Sequence, residues 1–224
     1  TNLDVTIIDR DDPAGVVKAL SELTGKIPLP PRWALGYHQC RWSYEPASRF
    51  RELAKEFRSR RIPCDVLWFD IDYMDGFRCF THDHRKFPDP AKLNQELHKR
   101  GFRSIFMIDP GIKVDPRYNV YREGERGGHW VRRAMNDHGL ANHAAVRFKS
   151  VIPDDVAQRW RLERPLDQNP QDARYFGQVW PGSCVFPDFT RARTRAWWSG
   201  LYRSFMKWGM DGVWNDMNEP AVFH

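Results

Sequence analysis

Cysteine is scarce in this 224-residue chain: Cys40, Cys64, Cys79 and Cys184 stand far apart, with no CxxC pair among them. That spacing argues against a zinc site and against a dense disulfide framework, so the four read as reduced core thiols. Long apolar runs are missing too, and none could span a bilayer, so no membrane partner is expected. No charged-then-apolar leader opens the chain, which leaves the cytoplasm as the default compartment. The first residue is Thr1 rather than Met, so the true N-terminus is expected upstream. Blocks of one charge sign are also lacking. The net charge of +6 comes from 35 Lys and Arg spread among 29 Asp and Glu, and no nucleic-acid partner is expected.

What the chain does have is apolar and aromatic mass. At 41% hydrophobic and 14% aromatic residues it is globular and long enough for one substantial core. Ten tryptophans exceed what a core of this size needs. Aromatic faces stack on the apolar faces of sugars as well as filling interiors, which leaves carbohydrate binding open.

The segment from Asp12-Pro13 to Leu23 predicts a short helix with Val16, Val17, Leu20 and Leu23 on one face, ended by Gly25. The proline-rich Ile27 to Pro31 is a rigid connector, and Trp33 to Gln39 fits a first buried strand. A rhythm follows. Phe50, Leu53, Ala54 and Phe57 recur at helical spacing before a second strand, Val66 to Phe69, which ends on Asp70. Pro90 opens a helix carrying Leu93 and Leu97, and the third strand from Ser104 ends on Asp109. Trp197, Leu201, Phe205 and Trp208 mark a last helix, with Thr190 as its expected cap, before a strand through Gly212-Val213-Trp214.

This is βα alternation with parallel strands, an α/β fold. Parallel strands buried on both faces are apolar, so Asp70, Asp109 and Asp216 at their carboxyl ends converge on one rim. A doubly wound nucleotide-binding sheet would place a glycine-rich loop after the first strand. Cys40-Arg41-Trp42-Ser43-Tyr44 has no glycine there, which favours a (β/α)8 TIM barrel. Four βα units are half of that barrel, which takes about 250 residues, so the chain is expected to be cut short after its fourth strand.

Trp214-Asn215-Asp216-Met217-Asn218-Glu219-Pro220 is similar to the nucleophile signature of glycoside hydrolase family 31, the family of many α-glucosidases. Four further segments resemble the family in the family's order: Pro30 to Gln39, Asp70-Ile71-Asp72-Tyr73-Met74, Phe87-Pro88-Asp89-Pro90, and Val179-Trp180-Pro181-Gly182 followed by Phe186-Pro187-Asp188-Phe189. The resemblance implies the amino half of the catalytic barrel over residues 27–224, preceded over residues 1–26 by a linker helix and the tail of a β-sandwich domain. It implies that Asp216 is the nucleophile of a retaining hydrolase that removes terminal α-linked glucose from oligosaccharides. Asp70 and Asp109 are expected among the substrate-binding residues, with Ile71, Ile108, Trp180, Trp214 and Met217 lining the pocket. No cofactor is implied, and the oligomeric state is not given.

Retaining glycosidases need two carboxyl groups about 5 to 5.5 Å apart, a nucleophile and an acid/base. The resemblance places the acid/base Asp on a later barrel unit, absent from this chain. Asp70, Asp72, Asp109 and Glu219 are the carboxyls at hand, each with a simpler role as hydroxyl ligand, hydrogen-bond acceptor or turn former. Asp216 itself could merely cap a turn, and Trp180 and Trp214 could be core residues. His38, His82 and His84 match no metal-ligand spacing, so no metal is expected. Other readings on the same scaffold are an α-xylosidase, an α-glucan lyase, a transglycosylase or a noncatalytic sugar-binding relative. One segment departs from the family pattern. Ala134 to Asp172, polar and rich in Arg, Asp and Pro, is a long insertion after the third strand, to be read as a lid, a disordered insertion or a gene-model artefact.

Overall fold

The computed structural model of the chain describes residues 5–133, 172–219, 221 and 222. The expected insertion, apart from Asp172, lies outside the described residues. Two compact units are present, Thr1–Leu35 and Gly36–His224.

In the first unit, helix α1 (Pro13–Thr24) begins where Asp12 accepts the Gly15 N–H at 2.7 Å and ends at Gly25, whose φ of 85° suits a residue without Cβ. The helix expected from the Asp-Pro start and the glycine stop is therefore there. The strand expected over Trp33 to Gln39 is not. Arg32–Leu35 form a 3-10 turn closed by the Ala34 N–H on Pro31 O at 2.9 Å, and only His38–Gln39 pair as a strand. Pro28, Pro30 and Pro31 bring no N–H donors, and the chain turns before a ladder can start.

The second unit runs β1 (His38–Gln39), α2 (Ala47–Ser59), β2 (Val66–Phe69), α3 (Pro90–Lys99), β3 (Arg103–Ile108), β4 (Ile112–Lys113), α4 (Asn119–Gly127), β5 (Phe176–Val179), β6 (Gly182–Val185), α5 (Ala192–Phe205) and β7 (Gly212–Asn215). Strands β1, β2, β3 and β7 lie side by side in that order, every pair parallel. Helices join consecutive strands, the arrangement expected from the alternation of periods.

Aromatic stacking ties the helices to this sheet. Phe69 stacks on Phe106 with ring centroids 4.1 Å apart and on Phe50 of α2 at 3.8 Å. Phe50, Leu53 and Ala54 form the buried face of α2, and Leu93 and Leu97 that of α3. Each such buried aromatic contributes about 3–5 kcal/mol against alanine. Asp89 starts α3 by accepting the Lys92 N–H at 2.9 Å, just before Pro90 at the first helical position.

Thr190 does not cap α5. Arg191 holds the cap position without a side-chain bond, while Thr190 donates both its hydroxyl (2.5 Å) and its N–H (3.1 Å) to Asp188 Oδ1. A side-chain oxygen two residues back outcompetes the helix end for that hydroxyl.

A second, antiparallel sheet orders β4, β6 and β5. The β5–β6 hairpin turns at Trp180-Pro181. Beside it, Val131 O accepts the Tyr175 N–H at 2.9 Å and Ala173 O accepts the Arg133 N–H at 2.7 Å, so the chain returns at 173 to where it left at 133. None of the four cysteines forms a disulfide among the described residues. Cys64, Cys79 and Cys184 are core thiols as expected, whereas Cys40, just past the short β1, is exposed.

Candidate active site

The carboxyl ends of β2, β3 and β7 bring together the acids that the sequence placed there. Phe69 is level with Phe106, and Ile108 is level with Asn215. The Asp216 N–H continues that ladder to Ile108 O at 2.9 Å, which sets Asp216 beside Asp109 at the β3–β7 seam.

The three acids have different surroundings. Asp70 is half-buried, and its Oδ1 accepts the Ile71 N–H at 2.7 Å, starting a 3-10 turn. Burial raises its pKa, partly opposed by that N–H and reinforced by the charges of Asp72 and Asp216. Asp216 is also half-buried, and its main-chain oxygen accepts from Asn218 Nδ2 at 2.7 Å. Asp109 differs from both. It is fully enclosed, and burial pushes its pKa up to about 7 against the opposing Gly111 N–H and Cys79 thiol.

Trp68 and Trp214 sit on the strands that end at Asp70 and Asp216. Trp214 meets Trp68 edge to face with ring centroids 5.5 Å apart, and Trp68 donates its indole N–H to His38 Nδ1 at 3.1 Å. Trp180, at the tip of the β5–β6 hairpin, meets Trp42 edge to face at 5.2 Å. Trp42 donates to Asp72 Oδ2 at 2.6 Å. Trp42, Asp72, Met74, Lys86 and Trp180 are among the walls of a cleft of about 640 Å³. Mixed aromatic and charged walls suit a ligand with both apolar faces and hydroxyls.

Met217, next to the seam, has φ of 57°, a left-handed conformation rare for a side chain of this size. Both Met217 and Trp180 pack on Val179, Cys184 and Phe186 of the antiparallel sheet. Ile71 and Ile108 are buried in the main core, and Glu219 is exposed. His82 Nδ1 contacts Phe87 O at 2.7 Å, its ring packs against His84 and Trp208, and burial lowers its pKa. Among the described residues, no group of three His, Cys, Asp or Glu could hold a metal ion.

Sequence reading passed over Trp42, treating its loop only for the glycine it lacks. The signal was available, because Trp42 follows β1 as closely as Asp72 follows β2.

Comparison with known proteins identifies the family of this fold. The sequence model of the glycosyl hydrolases family 31 TIM-barrel domain matches residues 27–224. The chain is 38% identical over 222 residues to "Alpha-glucosidase 2" of Bacillus thermoamyloliquefaciens, covering 99% of this chain and 24% of that protein. It is 36% identical to "Neutral alpha-glucosidase AB" of Mus musculus, covering 93% of this chain and 19% of that protein. Among solved structures, the Family 31 alpha-glucosidase from Bacteroides thetaiotaomicron superposes with a TM-score of 0.73 at 46% identity, over 96% of this chain and 30% of that one. The chain thus spans between about a fifth and a quarter of the length of these two curated relatives. Parallel strands, rim carboxylates and a domain match over most of its length together make this chain a member of glycosyl hydrolase family 31, carrying residues of its TIM-barrel domain.

Proposed function

We propose that this chain works within a longer retaining α-glucosidase that removes terminal α-linked glucose from oligosaccharides. A β-sandwich domain would precede it, and later barrel units would follow. The observation that carries the reading is the joint placement of Asp70 and Asp216 at the ends of parallel strands, close enough for the charge of Asp216 to raise the Asp70 pKa, with Trp214 two residues before Asp216. Parallel barrels present their chemistry at that end.

In this mechanism ionised Asp216 attacks the anomeric carbon as the bond to the leaving oxygen breaks, forming a glycosyl ester that water then hydrolyses. Asp70 accepts hydrogen bonds from hydroxyls of the bound sugar. Trp180, Trp214 and Met217 offer apolar surface to its ring, and Ile71 and Ile108 support that wall from beneath. The leaving oxygen needs a proton, and three acids among the described residues are poorly placed to give it. Asp70 shares its carboxyl with Ile71 N–H, Glu219 stands exposed, and Asp109 is protonated to about neutral pH but sealed from any substrate. The family resemblance places the acid/base on a later barrel unit, and the reading takes it from there.

Trapping with a slow fluorinated α-glucoside tests the reading. The full-length protein should carry a glycosyl adduct on the peptide containing Asp216, and Asp216→Asn should abolish labelling and turnover together. An adduct on Asp70 or Glu219 would overturn the assignment.

A further inference from the structure

Asp109 follows β3 directly, yet its side chain is 0% exposed. Its Oδ1 accepts the Gly111 N–H at 2.8 Å, and Cys79 Sγ lies 3.1 Å from its main-chain oxygen and 3.8 Å from Oδ1. Oδ2 is buried with no hydrogen-bond partner among the described residues. Among the described residues the titratable groups that face it are Cys79, Tyr73, Tyr118 and Asp216, none of them a cation. Both phenols are committed elsewhere, Tyr73 to Met107 O and Tyr118 to Cys79 O, each at 2.6 Å. Arg78, beside Cys79 in sequence, pairs with Asp75 and Asp115.

A carboxylate that accepts one N–H and faces no cation among the described residues is a costly thing to enclose. A second negative charge beside Asp216 would add repulsion. The neutral acid avoids both while Oδ1 still accepts from Gly111. That corner is tight: a Cβ on Gly111 would stand 3.0 Å from Val179 and 3.1 Å from Asp109 Oδ1. Asp109 therefore fixes where β3 turns into β4, beside the β3–β7 seam.

We propose, resting on the assignment of Asp216 as nucleophile, that Asp109 is a positioning residue that works as a neutral carboxylic acid, locking the β3–β4 corner and leaving the charge of the β3–β7 seam to Asp216. Burial holds its proton up to about pH 7.

Asp109→Asn keeps the shape and the acceptor but cannot ionise, whereas Asp109→Ala removes both. For an acid whose folded pKa is raised, stability falls as pH climbs from the ordinary value of 3.8 to about 7 and is level above that. The thermal midpoint of D109N minus that of the wild type should therefore grow across this window and then stay constant. A difference that is flat or shrinks over the window would overturn the neutral acid. Should D109N misfold at every pH, the infrared carbonyl band of a buried carboxylic acid in the wild type answers the same question: lost as pH passes well above 7 it supports the proposal, and never present it refutes it. The positioning role is read by rescue, with kcat on an α-glucoside about a hundredfold higher for D109N than for D109A. Equal kcat for the two would refute that role. If even the wild type cleaves no α-glucoside, the nucleophile assignment fails, while the pH trend in melting still decides the state of Asp109.

Discussion

The indole N–H of Trp42 donates to Asp72 Oδ2 at 2.6 Å, joining a residue just past β1 to one just past β2 beside the cleft. Trp42 remains 46% exposed and meets Trp180 edge to face, so it is held in place while still presenting surface to a ligand. On the proposed function, Trp42→Ala should raise KM for a malto-oligosaccharide about tenfold, the equivalent of one aromatic contact worth roughly 1.4 kcal/mol. Steady-state kinetics on maltotriose and on a nitrophenyl glucoside would check it. A loss confined to kcat on the small substrate would point to the chemistry instead of the cleft wall.

Asp211 ties the starts of two neighbouring strands. Its Oδ2 accepts the Ser104 N–H of β3 at 3.0 Å and contacts His98 Nε2 at 2.7 Å, while Oδ1 accepts from Arg103 at 2.9 Å. The carboxylate is largely buried although its two side-chain partners are partly exposed. Asp211→Ala should cost about 2–3 kcal/mol, most of it from the stranded Ser104 N–H. Denaturant unfolding would measure the loss, and Asp211→Asn, which keeps an acceptor for Ser104, should recover part of it.

Asp115 sets an acid-side dependence. The Arg117 N–H bonded to its Oδ1 at 2.8 Å, helped by the guanidinium groups of Arg117 and Arg78, holds its pKa below the ordinary 3.8. A carboxylate depressed in this way contributes stability that is present above pH 3.8 and lost as pH falls through the folded value. Asp115→Asn should therefore melt below the wild type at neutral pH, and the gap should close as the solution is made strongly acidic. A gap of constant size would show that shape, not charge, is what Asp115 supplies.

Gly124 lies inside α4, where alanine usually gains about 1 kcal/mol from helix propensity. Here a Cβ would stand 2.1 Å from two ring carbons of Trp130, which is buried and donates to Glu125 Oε2 at 3.0 Å. Overpacking of a fixed ring costs about 1–3 kcal/mol and outweighs the helical gain. Gly124→Ala should lower the melting temperature, and Trp130→Phe in the same background should restore part of it.

Apolar residues repeating with the helix period gave α2, α3 and α5, and short apolar runs gave β2, β3 and β7, because those patterns depend only on neighbours in the chain. The rim of strand-end carboxylates was legible for the same reason, and so was the family, whose motifs are contiguous. The surroundings of each carboxyl were not legible. Asp70, Asp109 and Asp216 occupy equivalent places in sequence, yet only Asp109 is sealed, by Cys79 some 30 residues away and by a corner at Gly111. The antiparallel sheet was hidden likewise, because two-residue β4 finds its partner in β6 far along the chain. Burial and charge at a site are sums over groups from distant segments, and only the tertiary structure decides which of three similar acids can meet a substrate and which keeps its proton inside.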